Sequence, residues 1–243
     1  MARKVFLDIK IGDISSYEDA LERYSSAKSW VKQWHSTYGF ASDDLDQLSA
    51  EEKETLADIL SNDPTATSEK WIIDAPTPLA GGRVVIELFD KECPKTSENF
   101  VQLCVGGKVG KSSKKPLHYK ETRMFRLVND FMVQGGDVTR GDGSGGDSIY
   151  NGKFNDEKPG LAKKFNATGL VAMANSGKNS NTSQFFITLG DKHPQFEKIN
   201  GKYVIFGQVV KESLDVLRSI NAVSQLKEQP QTPITIANSG KIE

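Results

Sequence analysis

Two short runs with the same period constrain the architecture of this chain more than any other feature. In VFLDIKI, Val5, Leu7, Ile9 and Ile11 alternate with Phe6, Asp8 and Lys10; in GGRVVIELF, Val84, Ile86 and Leu88 repeat the pattern. A period of two sends successive side chains to opposite faces, so each run predicts a strand with one face buried. Beyond Leu88 the chain continues as short apolar runs separated by glycine-rich turns such as GGDVTRGDGSGG. Strands do not alternate regularly with helices, which excludes a doubly wound sheet, and the many short runs point to a closed antiparallel barrel with few edges. Two helices punctuate it. Pro94 at a first helical position, then Phe100, Val101, Leu103 and Cys104, closed by Gly106 and Gly107, carries both end signals of one. Leu214, Leu217 and Ile220 mark the other.

Between the two alternating runs lies a stretch of different character. Ser15 with Glu18 reads as a capping box, and Tyr17, Leu21, Tyr24, Lys28, Val31, Trp34 and Tyr38 form one aromatic-rich stripe of a helix ending near Gly39. Ser49 with Glu52 starts a second helix through Leu56, Ile59 and Leu60, which NDPTAT stops. The expected organisation is a barrel domain from 1–12 and 80–243, with a helical hairpin inserted over 13–79.

Composition narrows the partners. With 31 basic and 32 acidic residues the net charge is -1, so no overall field recruits nucleic acid or an anionic membrane. The three lysines of KSSKK lack interleaved aromatics for base stacking and read as a solvated loop. The N-terminal run alternates where a secretory signal would be continuously apolar, and no window approaches ~18 apolar residues, which predicts a cytoplasmic protein without membrane contact. If Pro94–Cys104 is one helix, Cys93 and Cys104 stand roughly 16 Å apart, beyond disulfide reach, and should be free thiols. His35, His118 and His193 lie far apart, and Asp43, Asp44 and Asp46 lack the glycine and terminal glutamate of a calcium loop. No metal or cofactor is expected.

The chemistry concentrates in two segments, FRLVNDFMVQGGD (Phe125–Asp137) and AMANSGKNSNTSQFFIT (Ala172–Thr188). In QFFI, strand parity puts Gln184 and Phe186 on one face and Phe185 and Ile187 on the other; Met132 and Gln134 likewise share a face that Val133 leaves. One face of each strand can fill a barrel while the other lines an apolar groove carrying amides and one arginine. Singly these residues are unremarkable, since an arginine in a strand usually reaches to solvent and Phe or Met is usually core. Their conjunction, in this order and spacing, resembles the cyclophilin family of peptidyl-prolyl cis/trans isomerases. The match runs the length of the chain except for 13–79, an expansion of the family's first hairpin.

The resemblance implies a mainly β fold, a closed eight-stranded antiparallel barrel capped by two helices, here with a helical insertion. It implies an isomerase of X-Pro bonds, acting on proline-containing peptides and proteins as a monomer in folding or conformational switching. Arg126 matches the catalytic arginine. Phe131, Met132 and Phe186 match the proline-pocket walls; Gln134, Asn175 and Gln184 match amides that hold the peptide or orient the arginine. Gly143 and Ala174 match small residues that let the peptide approach, and Ser176 stands where an alanine is common at the entrance to a side pocket. At the far rim Ile199 matches a leucine and Tyr203 a histidine, while the family's tryptophan has no clear equivalent: Lys198 takes its place by strict count and Phe196 is nearer chemically. Because that tryptophan contacts cyclosporin, the implied cyclosporin-type ligand is weakened more than the activity.

VGKSSKKPLHYK resembles the extra loop of the divergent-loop cyclophilins. Cys104 matches one cysteine of their redox pair, Ser239 stands in place of the other, and Asp147 matches the acidic residue that fixes the loop. The aromatics Tyr24, Trp30, Trp34 and Tyr38 of the insert suit a protein partner, since aromatics dominate interface hot spots, but the more ordinary reading is that they fasten the insert to the barrel.

The arginine has a physical reason. Rotation about an X-Pro bond breaks amide resonance against ~18–20 kcal/mol. As the amide twists its nitrogen gains a lone pair, and a guanidinium on that side donates a hydrogen bond that exists only in the transition state. Turnover of order ~10³ s⁻¹ needs roughly 13 kcal/mol, so about 6 must come from this donor, from anchoring the flanking carbonyls and from desolvation.

Overall fold

The computed structural model describes residues 2–242, which fall into two compact units. One joins the N-terminal residues through Gly12 to the chain from Ala80 onward, and the other is Asp13–Leu79. The chain begins with β1 (Lys4–Ile11), whose Val5, Leu7, Ile9 and Ile11 are buried as their alternation requires.

The Asp13–Leu79 unit holds α1 (Ile14–Tyr38), a 3₁₀ turn at Leu45–Gln47, α2 (Ala50–Ser61) and α3 (Pro64–Glu69). It has three helices where a hairpin was expected, because NDPTAT both ends one helix and begins another: Asp63 accepts from the N–H groups of Thr65 and Ala66, and Pro64 supplies a preset first helical position. The cap of α1 is Asp13, which accepts from Ser16 N–H, so the Ser15–Glu18 box does not form and Ser15 lies inside the helix. Ser49 and Glu52 do form theirs, each side chain bonding the other's backbone N–H. The buried face of α1 is Tyr24, Ala27 and Val31, packed with Leu45, Leu56 and Leu60. The predicted stripe is only partly inward, since Leu21, Trp34 and Tyr38 stay 38%, 40% and 49% exposed. Lys28, on that stripe, pairs with Asp44 and Asp46 at 3.0 and 2.5 Å.

The other unit continues with β2 (Ala80–Leu88), α4 (Pro94–Val105), β3 (Lys108–Val109), β4 (Pro116–Leu117), β5 (Thr122–Arg123), β6 (Arg126–Val128) and β7 (Met132–Gly135). There follow α5 (Lys158–Ala162), β8 (Leu170–Met173), β9 (Phe185–Thr188), α6 (Gln195–Ile199), β10 (Ile205–Val209), α7 (Leu214–Ala222) and β11 (Ile234–Ile242). Nine strands form one antiparallel sheet in the order β5-β11-β1-β2-β10-β8-β9-β7-β6. This corrects the expectation of eight strands in a closed ring. The two edge strands β5 and β6 are consecutive in the chain, joined through Met124–Phe125, so covalent connection stands where a closing ladder would. Leu127 N–H, which such a ladder could use, donates instead to the Glu228 carbonyl at 3.0 Å.

The strands carry a cluster on each face. Inside, Val133, Phe185 and Ile187 pack with Phe100 and Leu103 of α4 and Leu217 and Ile220 of α7. Phe100 alone meets Tyr119, Phe185 and Phe206 at ring-centroid distances of 5.1, 5.1 and 4.9 Å. Outside, Phe131, Met132, Ala172, Phe186 and Phe196 form a second cluster with Ile199 and Tyr203 at its margin. The parity read from QFFI and FMVQ is what separates the two.

Candidate active site

Ladder register builds the groove. Arg126 on β6 pairs with Gln134 on β7, Gln134 pairs with Phe186 on β9, and Phe186 pairs with Ala172 on β8. Directly opposed residues share a face, so one rung across four strands presents an arginine, an amide, a phenyl ring and a methyl group side by side at the ~4.8 Å strand spacing. The β6–β7 turn that fixes this register has Asp130 at φ +53°, held by Asn221 through its N–H at 3.0 Å and its carboxylate at 2.7 Å.

A cavity of about 410 Å³ opens over the rung. Of the residues singled out in the sequence, Arg126, Phe131, Met132, Gln134, Ala174, Asn175, Phe186, Ile199 and Tyr203 line it. Tyr203 stands edge-on to Phe186 at 5.3 Å, and Phe131 lies 5.4 Å from Phe196. Gly143, Ser176 and Gln184 do not border this cavity; they line an adjoining one that shares Gln134, Ala174 and Asn175 with it.

The polar groups divide their hydrogen bonds sharply. Gln184 Nε2 donates to the carbonyls of Gly143 and Gly145 at 2.9 and 2.7 Å, and its Oε1 accepts from Gln134 Nε2 at 3.0 Å. Its side chain is thus committed to the glycine loop. Asn175 is similarly engaged, donating to Lys202 O at 3.0 Å and accepting from Gly177 N–H at 3.2 Å. Ser176 Oγ meets Ser180 Oγ at 3.2 Å. Gly143 needs its hydrogen: at φ +90°, an added Cβ would stand 2.5 Å from the Phe125 ring.

The loop from Gly136 to Gly146 wraps a buried carboxylate. Asp137 accepts from the N–H groups of Thr139, Arg140, Gly143 and Gly145 at 3.1, 3.0, 3.0 and 2.9 Å. Burial pushes its pKa up, but these donors outweigh burial and leave it below the ordinary value of 3.8. Asp147 is held the same way: burial raises it, and hydrogen bonds from Ser113, Ser148 and Gly152 bring it below 3.8. Its bond from Ser113 N–H at 2.8 Å ties the 110s loop down, the geometry expected of that position. Cys104 and Cys93 are buried free thiols, and Ser239 Oγ donates to the Cys104 carbonyl at 2.8 Å. Burial pushes the Cys93 thiol up to about 12 and Cys104 well above its ordinary value.

Four lining residues escaped the sequence reading: Val128, His193, Gln195 and Glu228. Glu228 accepts from Arg126 Nε at 2.9 Å and lies 2.9 Å from its Nη2. It sits about a hundred positions from Arg126 in an irregular segment, and no periodicity points to it. His193 stacks on Phe131 at 4.7 Å, and Gln195 borders the same cavity. The only sequence signal was the His-Pro pair opening α6. Among the described residues no three His, Cys, Asp or Glu side chains gather as metal ligands would, and no helix is long and apolar enough to cross a membrane.

A concave site floored by Phe131, Met132 and Phe186, with one guanidinium at its edge, suits a ligand that brings an apolar ring and a polar backbone together. The family model described as cyclophilin type peptidyl-prolyl cis-trans isomerase/CLD matches residues 74–241, a span that includes every residue of this groove. The chain therefore belongs to the cyclophilin family and is a peptidyl-prolyl cis-trans isomerase acting on proline-containing peptides and proteins.

Proposed function

We propose that Arg126 is the catalytic residue, donating to the prolyl nitrogen as the amide twists, while Phe131, Met132 and Phe186 wall the ring and Ile199 and Tyr203 close its far rim. The rung Arg126–Gln134–Phe186 carries this reading, because it sets the only guanidinium of that cavity beside its apolar floor. Gln134 spends one N–H on Gln184 and keeps its carbonyl for the peptide. Gln184 braces the glycine loop that holds Gly143 against Phe125. Asn175, its side chain engaged, and Ala174 meet the peptide through the main chain, and Ser176 stands at the mouth of the adjoining cavity. Glu228 fixes the arginine's rotamer, a role the resemblance left open among the amides Gln134, Asn175 and Gln184. Nε and Nη2 converge on one Glu228 carboxylate oxygen, which leaves Nη1 for the substrate.

We further propose that the enzyme assists folding or switching of client segments in a reducing, cytoplasmic setting, which its two free thiols suit. Cyclosporin-type ligands should bind weakly. Phe196, the aromatic nearest the missing tryptophan, is 3% exposed and packs inward on Phe131, so it offers the ligand no surface.

A protease-coupled assay on a short Xaa-Pro-Phe peptide tests the assignment. Arg126→Ala should lower kcat/KM by about 10²-fold, the usual loss on removing one transition-state donor, with Arg126→Lys recovering only part. A variant that folds and keeps full turnover would remove Arg126 from the mechanism. A second reading gives the Asp13–Leu79 unit a docking role, supported by the exposure of Trp34 and Tyr38.

A further inference from the structure

The adjoining cavity, about 720 Å³ in volume, has a one-sided charge. Its ionisable lining groups are Lys115, Arg140 and Lys153; no Asp or Glu lines it. The whole chain carries a net charge of -1, so three uncompensated cations around one concavity depart from the average surface. Among the described residues none of the three forms an ion pair. Their polar contacts are long ones to hydroxyls: Arg140 Nη1 to Ser144 Oγ at 3.4 Å and Lys153 Nζ to Ser176 Oγ at 3.5 Å.

The nearby carboxylates do not cancel this. Asp137 and Asp147 are 2% and 1% exposed and face backbone N–H groups behind the wall. Asp142 and Asp156 keep their charge but do not line the cavity; they accept from Ser144 and from Asn179 and Asn181 respectively. Loop ties hold the cavity open. Asp147 anchors Ser113, Asp137 anchors the glycine loop, and Gln184 donates to that loop's carbonyls at Gly143 and Gly145.

The two cavities share Gln134, Ala174 and Asn175. An extended peptide advances ~3.3 Å per residue, so a chain with its proline over Phe186 reaches the second cavity within a few residues. We propose that this cavity is a charge-selective subsite taking an anionic side chain, a carboxylate or a phosphate, borne within about three residues of the substrate proline. The inference rests on the groove assignment made above. Lys and Arg on flexible stems recognise such anions in partly solvated clefts, and the attraction is felt equally in ground and transition states, so selectivity falls on KM and leaves kcat alone.

The test measures both binding and turnover for peptides in which the residue flanking Ala-Pro-Phe, upstream or downstream, is Glu, phosphoserine, Ala or Lys. At low salt an acidic residue on one side should lower KM roughly tenfold relative to Lys, the size expected for a few solvent-facing charge contacts. The preference should shrink at about 0.5 M salt, where screening shortens to a few ångström, and should collapse in Lys115→Met/Arg140→Met/Lys153→Met. Phosphoserine outperforming Glu assigns the site to phosphate; equality assigns it to either anion. Equal KM for Glu and Lys peptides, or a preference that survives the triple substitution, overturns the proposal. Binding keeps the two readings apart. An acidic preference in binding without turnover would sink the role of Arg126 and leave this subsite standing, whereas turnover without preference would do the reverse.

Discussion

Glu228 illustrates how much one side chain can decide at this site. It accepts from Arg126 through one carboxylate oxygen and so restricts a long, entropy-rich side chain to one rotamer before substrate arrives. Both side chains are half exposed, so the pair adds little to stability, and under the role proposed for Arg126 its effect falls on catalysis. Glu228→Gln should lower kcat several-fold with little change in KM or in unfolding midpoint, and Glu228→Asp should recover part of it; a fall in stability parallel to the loss of kcat would make the residue merely structural. Arg126 itself was legible only through the conjunction of FRLVNDFMVQGGD with AMANSGKNSNTSQFFIT and the resemblance the two carry, since an arginine in a strand is ordinary by itself. Its partner was not, since nothing local distinguishes one glutamate in QLKEQP from the other 31 acidic residues of the chain.

Among the elements, the glycine loop depends most on a single group. Asp137 receives four backbone N–H bonds, and the loop's glycines bring those donors close without side chains in the way. Because its folded pKa lies below 3.8, its stabilisation is present above the unfolded value and is lost as pH falls through the folded one. Asp137→Asn should therefore cost about 2 kcal/mol at about pH 7, and the gap from wild type should narrow as the pH is lowered below the ordinary carboxylate value, as read from urea unfolding midpoints. A gap of constant size across that range would mean the carboxylate's charge is irrelevant. The helix signals were readable where the chain carries its own cap, as Ser49 with Glu52 and Pro94 with Gly106 do. They misled at Ser15, since Asp13 two residues earlier reached the Ser16 N–H first. The capping motif is local, but which of two candidate caps wins depends on where the preceding strand releases the chain.

For the whole molecule, the insert poses the sharpest question. Ile11 and Ala80 face each other at the end of the β1–β2 ladder, so the two ends of Asp13–Leu79 leave the sheet from neighbouring positions. A two-residue Asn-Gly turn can join them in register. Replacing 12–79 by that turn should yield a folded chain whose kcat/KM on a short peptide lies within about threefold of wild type, since neither cavity of the groove draws a lining residue from the insert. Loss of turnover in a folded variant would tie the insert to catalysis. The sequence by itself determined which faces are apolar: alternation separated Phe185 from Phe186 and Val133 from Met132, and the glycines and prolines set where strands and helices stop. Tertiary structure alone decided the rest. Ladder register aligned Arg126, Gln134 and Phe186 into one rung, a covalent link stood in for the closing ladder between β5 and β6, and three cations from separate loops met around one cavity. Each of these joins residues far apart in the chain, and the free energy that selects such pairings is shared among many contacts, so no local pattern records it.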